Sequence, residues 1–329
     1  MNTRSASAVT PSSTPRLLEA LRQYGTLGIF LVLVVVAALW SDAFLTERNL
    51  MNVVRQVASG AGIMAVGMLF VVLTRGIDLS VGSIAAVGSV VCAHLIAGQG
   101  YSVPVTIVLV VLTGAACGAV TGFFVAYMRL PSFVISLAMM AIARGLSLII
   151  SAGRPITMGQ PGEALVNFGS GFILGIPQPA ILMLIIYAIG GVVLTFTSFG
   201  RIVTAIGSNE EAVRLSGVPV ERYVLSVYVI SGALAAVAGI VAAARTGIGT
   251  PQVGVGAELD VIAAVVIGGA SLMGGRGGMF NTLLGALILG IITNIMNLAG
   301  VPGYHQNVYL GLIIILAMLI QFVTARSRG

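Results

Sequence analysis

Lysine does not occur in this 329-residue sequence, and all sixteen basic residues are arginine. The absence of lysine excludes a Walker A phosphate loop, because the lysine of that loop reaches the β- and γ-phosphates of ATP. It also excludes Schiff-base chemistry, which requires a lysine amine. We therefore expect any ATP-driven process that involves this chain to take its energy from another chain.

Charged residues of any kind are scarce. They make up 8% of the sequence, whereas a typical soluble domain carries about 25%. With 58% hydrophobic residues and a mean hydropathy of +1.08, the chain has too little charge to solvate a globular surface, and it is predicted to be an integral membrane protein. We ascribe the net charge of +6 to arginines in cytoplasmic loops and not to nucleic-acid binding, since no basic run with interleaved aromatic residues occurs.

Residue types that bind metals are few and dispersed. Cys92 and Cys117 lie inside apolar runs and are interpreted as small buried hydrophobic residues. His94 and His305 are far apart, and neither belongs to an HExxH motif. The sequence therefore predicts neither a metal site nor a catalytic residue.

Long apolar runs dominate the chain. A helix of about 20 apolar residues crosses the hydrocarbon core, and the period-two alternation of a membrane β-barrel is missing from the sequence. We predict an all-α polytopic membrane protein, because in lipid a helix satisfies all of its own backbone polar groups. About ten transmembrane helices are predicted, near residues 24–40, 52–73, 80–98, 103–127, 132–151, 178–196, 223–244, 258–271, 280–298 and 306–323.

The chain is predicted to form a single membrane domain with short tails. Residues 1–23 are interpreted as a disordered N-terminal tail, since their first part is rich in Ser, Thr, Ala and Pro. Residues 24–323 form the transmembrane domain, and residues 324–329 form a C-terminal tail.

The distribution of arginine predicts the orientation in the membrane. With both termini in the cytoplasm, eleven arginines lie inside, and Arg48, Arg154 and Arg245 lie outside. Cytoplasmic loops of membrane proteins carry an excess of basic residues. Both tails are therefore predicted to be cytoplasmic.

Glycines mark one face of the fourth predicted span. Gly114, Gly118 and Gly122 are four residues apart. Small residues at this spacing let helix backbones approach closely. We expect tight helix packing at this face and no ligand.

The predicted cytoplasmic segment 197–222 contains the signals of a short helix. Ser208 and Glu211 form the S-x-x-E pattern of a capping box. Gly217 followed by Pro219 stops a helix. A helix of roughly seven to nine residues cannot cross a membrane. It serves either as a connector on the membrane surface or as a rigid docking element that transmits force from a soluble partner.

Three blocks of the sequence resemble the ribose-type ABC sugar permeases, the membrane subunits of bacterial monosaccharide importers. They are residues 76–83 (GIDLSVGS), residues 200–217 (with AIGSNEEA and RLSG) and residues 258–277 (ELDVIAAVVIGG and GGRG). The blocks occur in the order of the family, and the resemblance extends from about Phe44 to Phe322. It implies a fold similar to that of the large ten-helix ABC importer permeases.

The resemblance also implies partners and a place in the cell. A second permease subunit, identical or a paralogue, would pair with this chain in the bacterial inner membrane. Separate ATPase subunits would bind ATP and Mg²⁺, and an extracytoplasmic sugar-binding protein would dock outside. The chain would be no enzyme, would hold no cofactor of its own, and would pass a ribose-like pentose or a related sugar. The implied ATPase-coupling residues are Gly207, Ser208, Asn209, Glu210, Glu211, Ala212, Arg214, Leu215 and Gly217.

Four polar residues within or near the spans are candidates for the substrate pathway. Asp78 and Ser80 follow a glycine break and either cap a helix or line the pathway. Asn294 and Asn297 are three residues apart on one helix face. Their amides suit sugar hydroxyls, and they also suit hydrogen bonds between helices, which is the interpretation we favour.

Other ionisable residues lie near the membrane. Arg144 stands within a long apolar run, so we expect it to meet a carboxylate or backbone carbonyls. Glu258 and Asp260 open the eighth predicted span on the outer side, where they either cap the helix or line the mouth of the pathway. Arg154 and Arg245 are candidates for docking the binding protein, or are ordinary surface residues.

Alternative functions remain open at this point. Nucleoside and branched-chain amino-acid permeases of the same superfamily share the loop at residues 197–222. An ion-coupled secondary transporter usually needs buried carboxylates at the midplane, for which Asp78 is a candidate. A membrane scaffold without transport would leave the short capped helix unexplained.

Overall fold

A computed structural model describes the backbone of residues 16–326 and the side chains of residues 25–313, 315 and 316. Helices account for most of the described chain, with four strands of two residues each. The helices are α1 (Arg16–Trp40), α2 (Glu47–Ser59), α3 (Ala61–Leu73), α4 (Val81–Ala93), α5 (Val103–Ala126), α6 (Ser132–Ser151), α7 (Glu163–Ser170), α8 (Gln178–Phe196), α9 (Ser198–Ser208), α10 (Glu210–Leu215), α11 (Val220–Thr246), α12 (Ala257–Ile267), α13 (Met279–Leu298) and α14 (Gly303–Arg326).

Both predicted tails overlap helices. Helix α1 begins at Arg16, so the last part of the predicted N-terminal tail 1–23 is helical, and residues 1–15 lie outside the described residues. Helix α14 runs to Arg326 and so enters the predicted tail 324–329, whose last three residues are also outside the described part.

The described residues do not confirm all ten of the predicted membrane spans. A helix occurs within each of the ten predicted spans, but among the described residues six helices are long and apolar enough to cross a membrane. Helices α2 and α3 would form a seventh span, bent by 43° at Gly60. The count of ten is therefore not confirmed. Helix α12 is the clearest difference, because its 11 residues are too few to cross the hydrocarbon core.

The short strands tie loops together. Strand β1 (Ile156–Thr157) pairs antiparallel with β4 (Ile248–Gly249), and β2 (Phe172–Ile173) pairs antiparallel with β3 (Ile176–Pro177). The β1–β4 pair joins the loop after α6 to the loop after α11, at the end of α11 far from α10. This end of the bundle is called the distal face below, and the end that carries α10 is called the coupling face.

Close packing of α5 against α11 confirms the role predicted for the glycine row. A Cβ atom at Gly118 would lie 3.1 Å from Val229 Cα and closer still to the carbonyl of Tyr228. Gly114 meets the backbone of Gly232 in the same way. The two helices therefore approach so closely that α5 has no room for a side chain at Gly114 or Gly118.

Replacing Gly118 with alanine is expected to destabilise the protein by about 1–3 kcal/mol, because the added methyl group meets main chain that cannot rotate away. The apparent Tm of the purified protein should fall by several degrees. Gly145→Ala on α6 is the control, since a Cβ at that position meets no atom within 4 Å. An equal Tm for the two variants would show that α5 and α11 are not packed as described.

Two helices begin inside the bundle. Residues 74–80 turn back from the end of α3, and Asp78 reaches Ser231, which lies about 16 Å along α11 at 1.5 Å per residue. Helix α4 starts there, and its Gly82 packs against the backbone of Gly254, just before α12. The expectation that Glu258 opens a span on the outer side is therefore wrong. The chain before α12 runs into the bundle as a series of turns over residues 251–256, and α12 covers the remaining depth.

Candidate functional site

The short helix α10 has a cap, but not the predicted one. Helix α9 continues to Ser208, whose hydroxyl donates to the carbonyl of Thr204 at 3.1 Å. A cap residue needs non-helical backbone, and Asn209 has it, with φ −158° and ψ 95°. Its Oδ1 accepts a hydrogen bond from the amide of Ala212 at 3.0 Å. The predicted capping box between Ser208 and Glu211 is therefore wrong, although the helix exists.

The end of α10 agrees with the predicted stop signal. Gly217 has a φ of +81°, in the left-handed region that favours glycine. Its amide donates to the carbonyl of Arg214 at 3.0 Å. The helix is six residues long and too short to cross a membrane.

Ion pairs hold one side of α10 in place, and the side chains on another side are exposed. Arg214 forms ion pairs with Glu210 at 2.6 Å and with Glu221 at the start of α11. The hydrogen bonds that Arg214 donates to Glu210 and Glu221 raise the pKa of Arg214 above its ordinary value. Glu211 is exposed and forms no hydrogen bond to a described residue, and Leu215 is 80% exposed. An acidic and an apolar side chain are thus available to a partner.

Arg75 ties the coupling face together. Its Nε donates to the carbonyls of Gly207 at 2.7 Å and Met273 at 3.0 Å, and its Nη2 donates to Ser208 at 2.9 Å. A cation at the last carbonyls of α9 also suits the negative end of that helix. The sequence analysis missed this role, because the three acceptors are more than 130 positions away and are backbone atoms.

Two of the three sequence blocks that carry the family resemblance meet at this tie, next to the chain that leads into the third. Gly207 packs directly against the carbonyl of Leu73 and the amide of Gly275. The Gly275 amide in turn donates to the Leu73 carbonyl at 3.0 Å. The loop before α4, the loop after α12 and the end of α9 therefore form one contact.

A cavity of about 420 Å³ separates α10 from the turn between α5 and α6. Arg129, Ser132 and Tyr228 line it opposite Glu210 and Arg214. Helix α10 is therefore fastened at its base and its C-terminal end, with open space beside it.

Asp78 and Ser80 are buried and bonded to one another. Asp78 Oδ1 accepts from the Ser80 amide at 3.0 Å and from its hydroxyl at 2.5 Å, while Oδ2 accepts from Ser231 at 2.7 Å. Both residues are fully buried. The carboxylate shapes the loop before α4 and links it to α11.

The two asparagines also have partners in the bundle. Asn294 exchanges two hydrogen bonds with Asn49 of α2, at 3.0 and 2.8 Å. Asn297 Oδ1 accepts from Gln306 of α14 at 2.8 Å. Both arrangements are hydrogen bonds between helices, the interpretation favoured by the sequence.

Arg144 has the backbone partners expected of it. Its Nη1 donates to the carbonyls of Pro251 and Val253, the latter at 3.0 Å, and so holds the turns before α12. Arg154 and Arg245 are both exposed at the distal face, where β1 and β4 join their loops. Arg245 donates to the Ser59 hydroxyl at 3.0 Å.

Comparison with known proteins places the chain in a family. The family model described as branched-chain amino acid transport system/permease component matches residues 49–321. The chain belongs to this permease family. It is therefore a membrane-embedded protein, as its apolar helices indicate.

The relatives of this permease include sugar permeases. The ribose import permease RbsC of Escherichia coli (strain K12) is 42% identical over 292 residues, 88% of this chain and 90% of that protein. The ribose import permease RbsC of Bacillus subtilis (strain 168) is 42% identical over 294 residues, 89% and 90% of the two chains. The xylose transport system permease XylH of Escherichia coli (strain K12) is 34% identical over 343 residues, 86% and 87%. No solved structure matches this permease.

A signal for the interrupted helices lies in the sequence of the permease. Asp78-Leu79-Ser80-Val81 and Glu258-Leu259-Asp260-Val261 share an acidic residue, then Leu, then Val two positions later. Each tetrapeptide stands where a helix begins inside the bundle. The repeated pattern marks both of these helix starts, which periodicity alone did not.

Proposed function

We propose that this permease is the membrane subunit of an ATP-driven ABC importer for a monosaccharide, a ribose-like pentose or a related sugar. The identity of 42% to ribose import permeases over nearly the whole chain carries this proposal. The chain has no lysine, so the ATP and Mg²⁺ are bound by a partner ATPase. The exposed, capped helix α10 supplies the place where that partner docks.

Three partners complete the importer in the bacterial inner membrane. Two ATPase subunits contact α10 on the cytoplasmic side, where both termini also lie. A second permease subunit, identical or a paralogue, pairs with this one around the pathway. A sugar-binding protein docks on the distal face, where Arg154 and Arg245 steer it by their charge.

The contacts of Arg75 suggest how force enters the membrane. When ATP binding moves α10 and the end of α9, the hydrogen bonds of Arg75 and the packing of Gly207 carry the movement to two loops. One loop leads into α4 and the other follows α12, and inside the bundle Gly82 of α4 packs against Gly254, just before α12. A shift of the coupling face therefore reaches the middle of the membrane.

Uptake by reconstituted complexes tests the proposal. Proteoliposomes that contain the permease, its ATPase and its binding protein should accumulate labelled ribose or xylose only when ATP is present on the ATPase side. The description of the family names branched-chain amino acids, so labelled leucine is the second solute to test. Uptake of leucine alone, or sugar uptake driven by a proton gradient without ATP, would contradict the proposal.

A further inference from the structure

A second polar cavity, of about 230 Å³, lies between the α2–α3 bend and helices α12, α13 and α14. Its polar side chains are Gln56, Asp260, Thr293, Gln306 and Asn307, and these five define the Asp260 cavity. They come from four helices that are far apart in sequence, so periodicity along any one helix does not reveal the cavity.

The polar groups of the Asp260 cavity lack protein partners. The side chains of Gln56, Asp260 and Thr293 form no hydrogen bond to another described residue, and the same holds for Asn307. Gln56, Asp260 and Thr293 are partly exposed and Asn307 is exposed, so these side chains face a space that is open to the outside. Four polar groups without protein partners around one open space are available to a polar occupant, water or a solute.

The residues predicted to line the pathway, in contrast, have hydrogen-bond partners within the protein. Asp78 has both carboxylate oxygens occupied by hydroxyl and amide donors, and Asn294 exchanges two hydrogen bonds with Asn49. Residues that satisfy one another hold helices together. Residues that converge on a space without satisfying one another are available to a ligand.

The cavity extends from the distal part of the bundle towards its middle. Gln306 lies in the first turn of α14 and donates to Asn297 near the end of α13. Gly60, at the bend between α2 and α3, and Asp260, in the first turns of α12, mark its deeper end. A solute that enters from the distal face would thus meet the cavity before it reaches the coupling face.

We propose that the Asp260 cavity binds the hydroxyl groups of a monosaccharide as it crosses the permease. The Asp260 carboxylate accepts hydrogen bonds from neighbouring hydroxyls, and the amides of Gln56 and Asn307 both donate and accept. Hydroxyl-rich solutes match this mixture of acceptors and donors better than an aliphatic amino acid does. That the bound solute is a sugar rests on the proposed function. Access of water to the cavity does not depend on it.

The first test measures access of water to the cavity in the intact complex. A charged methanethiosulfonate reagent should modify Thr293→Cys at least about tenfold faster than Thr282→Cys on the same helix, because Thr282 is fully buried and reacts only on opening. The native Cys92 and Cys117 are buried and set the baseline. Equal, slow modification of the two variants would overturn the proposal, whatever the transported solute.

The second test measures the role of the carboxylate in transport. Asp260→Asn should lower ATP-driven uptake of labelled ribose or xylose about tenfold, because a neutral amide loses the charge-assisted hydrogen bonds. Stimulation of the ATPase by the binding protein should persist. Asp42→Asn, the same change at an exposed position outside the cavity, should leave uptake unchanged.

Two results of the second test would overturn the proposal. Normal uptake by Asp260→Asn would show that the carboxylate does not contact the solute. Parallel loss of uptake and of ATPase stimulation would show that Asp260 supports the fold and not the passage of solute. A wild-type complex that takes up no sugar would instead contradict the proposed function, while modification of Thr293→Cys would still decide whether the cavity holds water.

Discussion

Replacing Arg75 with alanine should abolish coupling between ATP hydrolysis and uptake while leaving the permease in the membrane. Arg75 donates hydrogen bonds to three carbonyls, those of Gly207, Ser208 and Met273, in two separate segments. Because Arg75 is itself exposed, their loss should cost about 2–3 kcal/mol in total and not the full value of three charged hydrogen bonds. Uptake should therefore fall by at least about tenfold at unchanged permease content.

Arg129 provides the matched control for Arg75. Both arginines have positive φ, 66° at Arg75 and 55° at Arg129, and both are exposed on the coupling face. Arg129 donates no hydrogen bond to a described residue, so Arg129→Ala should change uptake little. Arg75→Lys should restore part of the activity, since a lysine reaches one carbonyl but lacks the planar fork of arginine. Full activity of Arg75→Ala would show that the tie does not carry the movement.

The double replacement Glu211→Ala/Leu215→Ala should detach the ATPase from the permease. These two side chains protrude from α10 without partners among the described residues, whereas Arg214 is held by Glu210 and Glu221. Truncating an anchor of an interface costs about 2 kcal/mol or more, so ATPase affinity should fall at least about thirtyfold. The measurement is the amount of ATPase that co-purifies with the permease at a series of concentrations.

The specificity of this effect can be checked on another leucine. Leu112 is 58% exposed on α5, away from α10, and Leu112→Ala should leave ATPase binding unchanged. Arg214→Ala should have an intermediate effect, because it loosens α10 without removing a side chain that faces the partner. Wild-type affinity in the double variant would show that the ATPase docks elsewhere.

Local signals in the sequence predicted the parts of the structure that local physics determines. The stop of α10 at Gly217 follows from the left-handed backbone that glycine tolerates, and the glycine row of α5 follows from the spacing of Gly114 and Gly118. The cap was misplaced by one residue, because α9 runs on to Ser208 and leaves Asn209 as the first non-helical position.

Long-range contacts account for what the sequence did not predict. The role of Arg75 depends on Gly207 and Met273, and the Asp260 cavity depends on residues from four helices. Hydropathy also predicted a short span near residues 258–271, because α12 is apolar. The turns at residues 251–256 supply the rest of the depth, and hydropathy does not distinguish turns from helical backbone.

A cross-link from α10 tests most directly the central claim that energy enters the permease at this helix. A thiol-specific photo-cross-linker on Leu215→Cys, in membranes that contain the ATPase and the binding protein, should join the permease to the ATPase. The same reagent on Leu112→Cys should give no such product, and the buried native cysteines should contribute none. Failure of Leu215→Cys to cross-link in a complex that transports sugar with ATP would contradict the account.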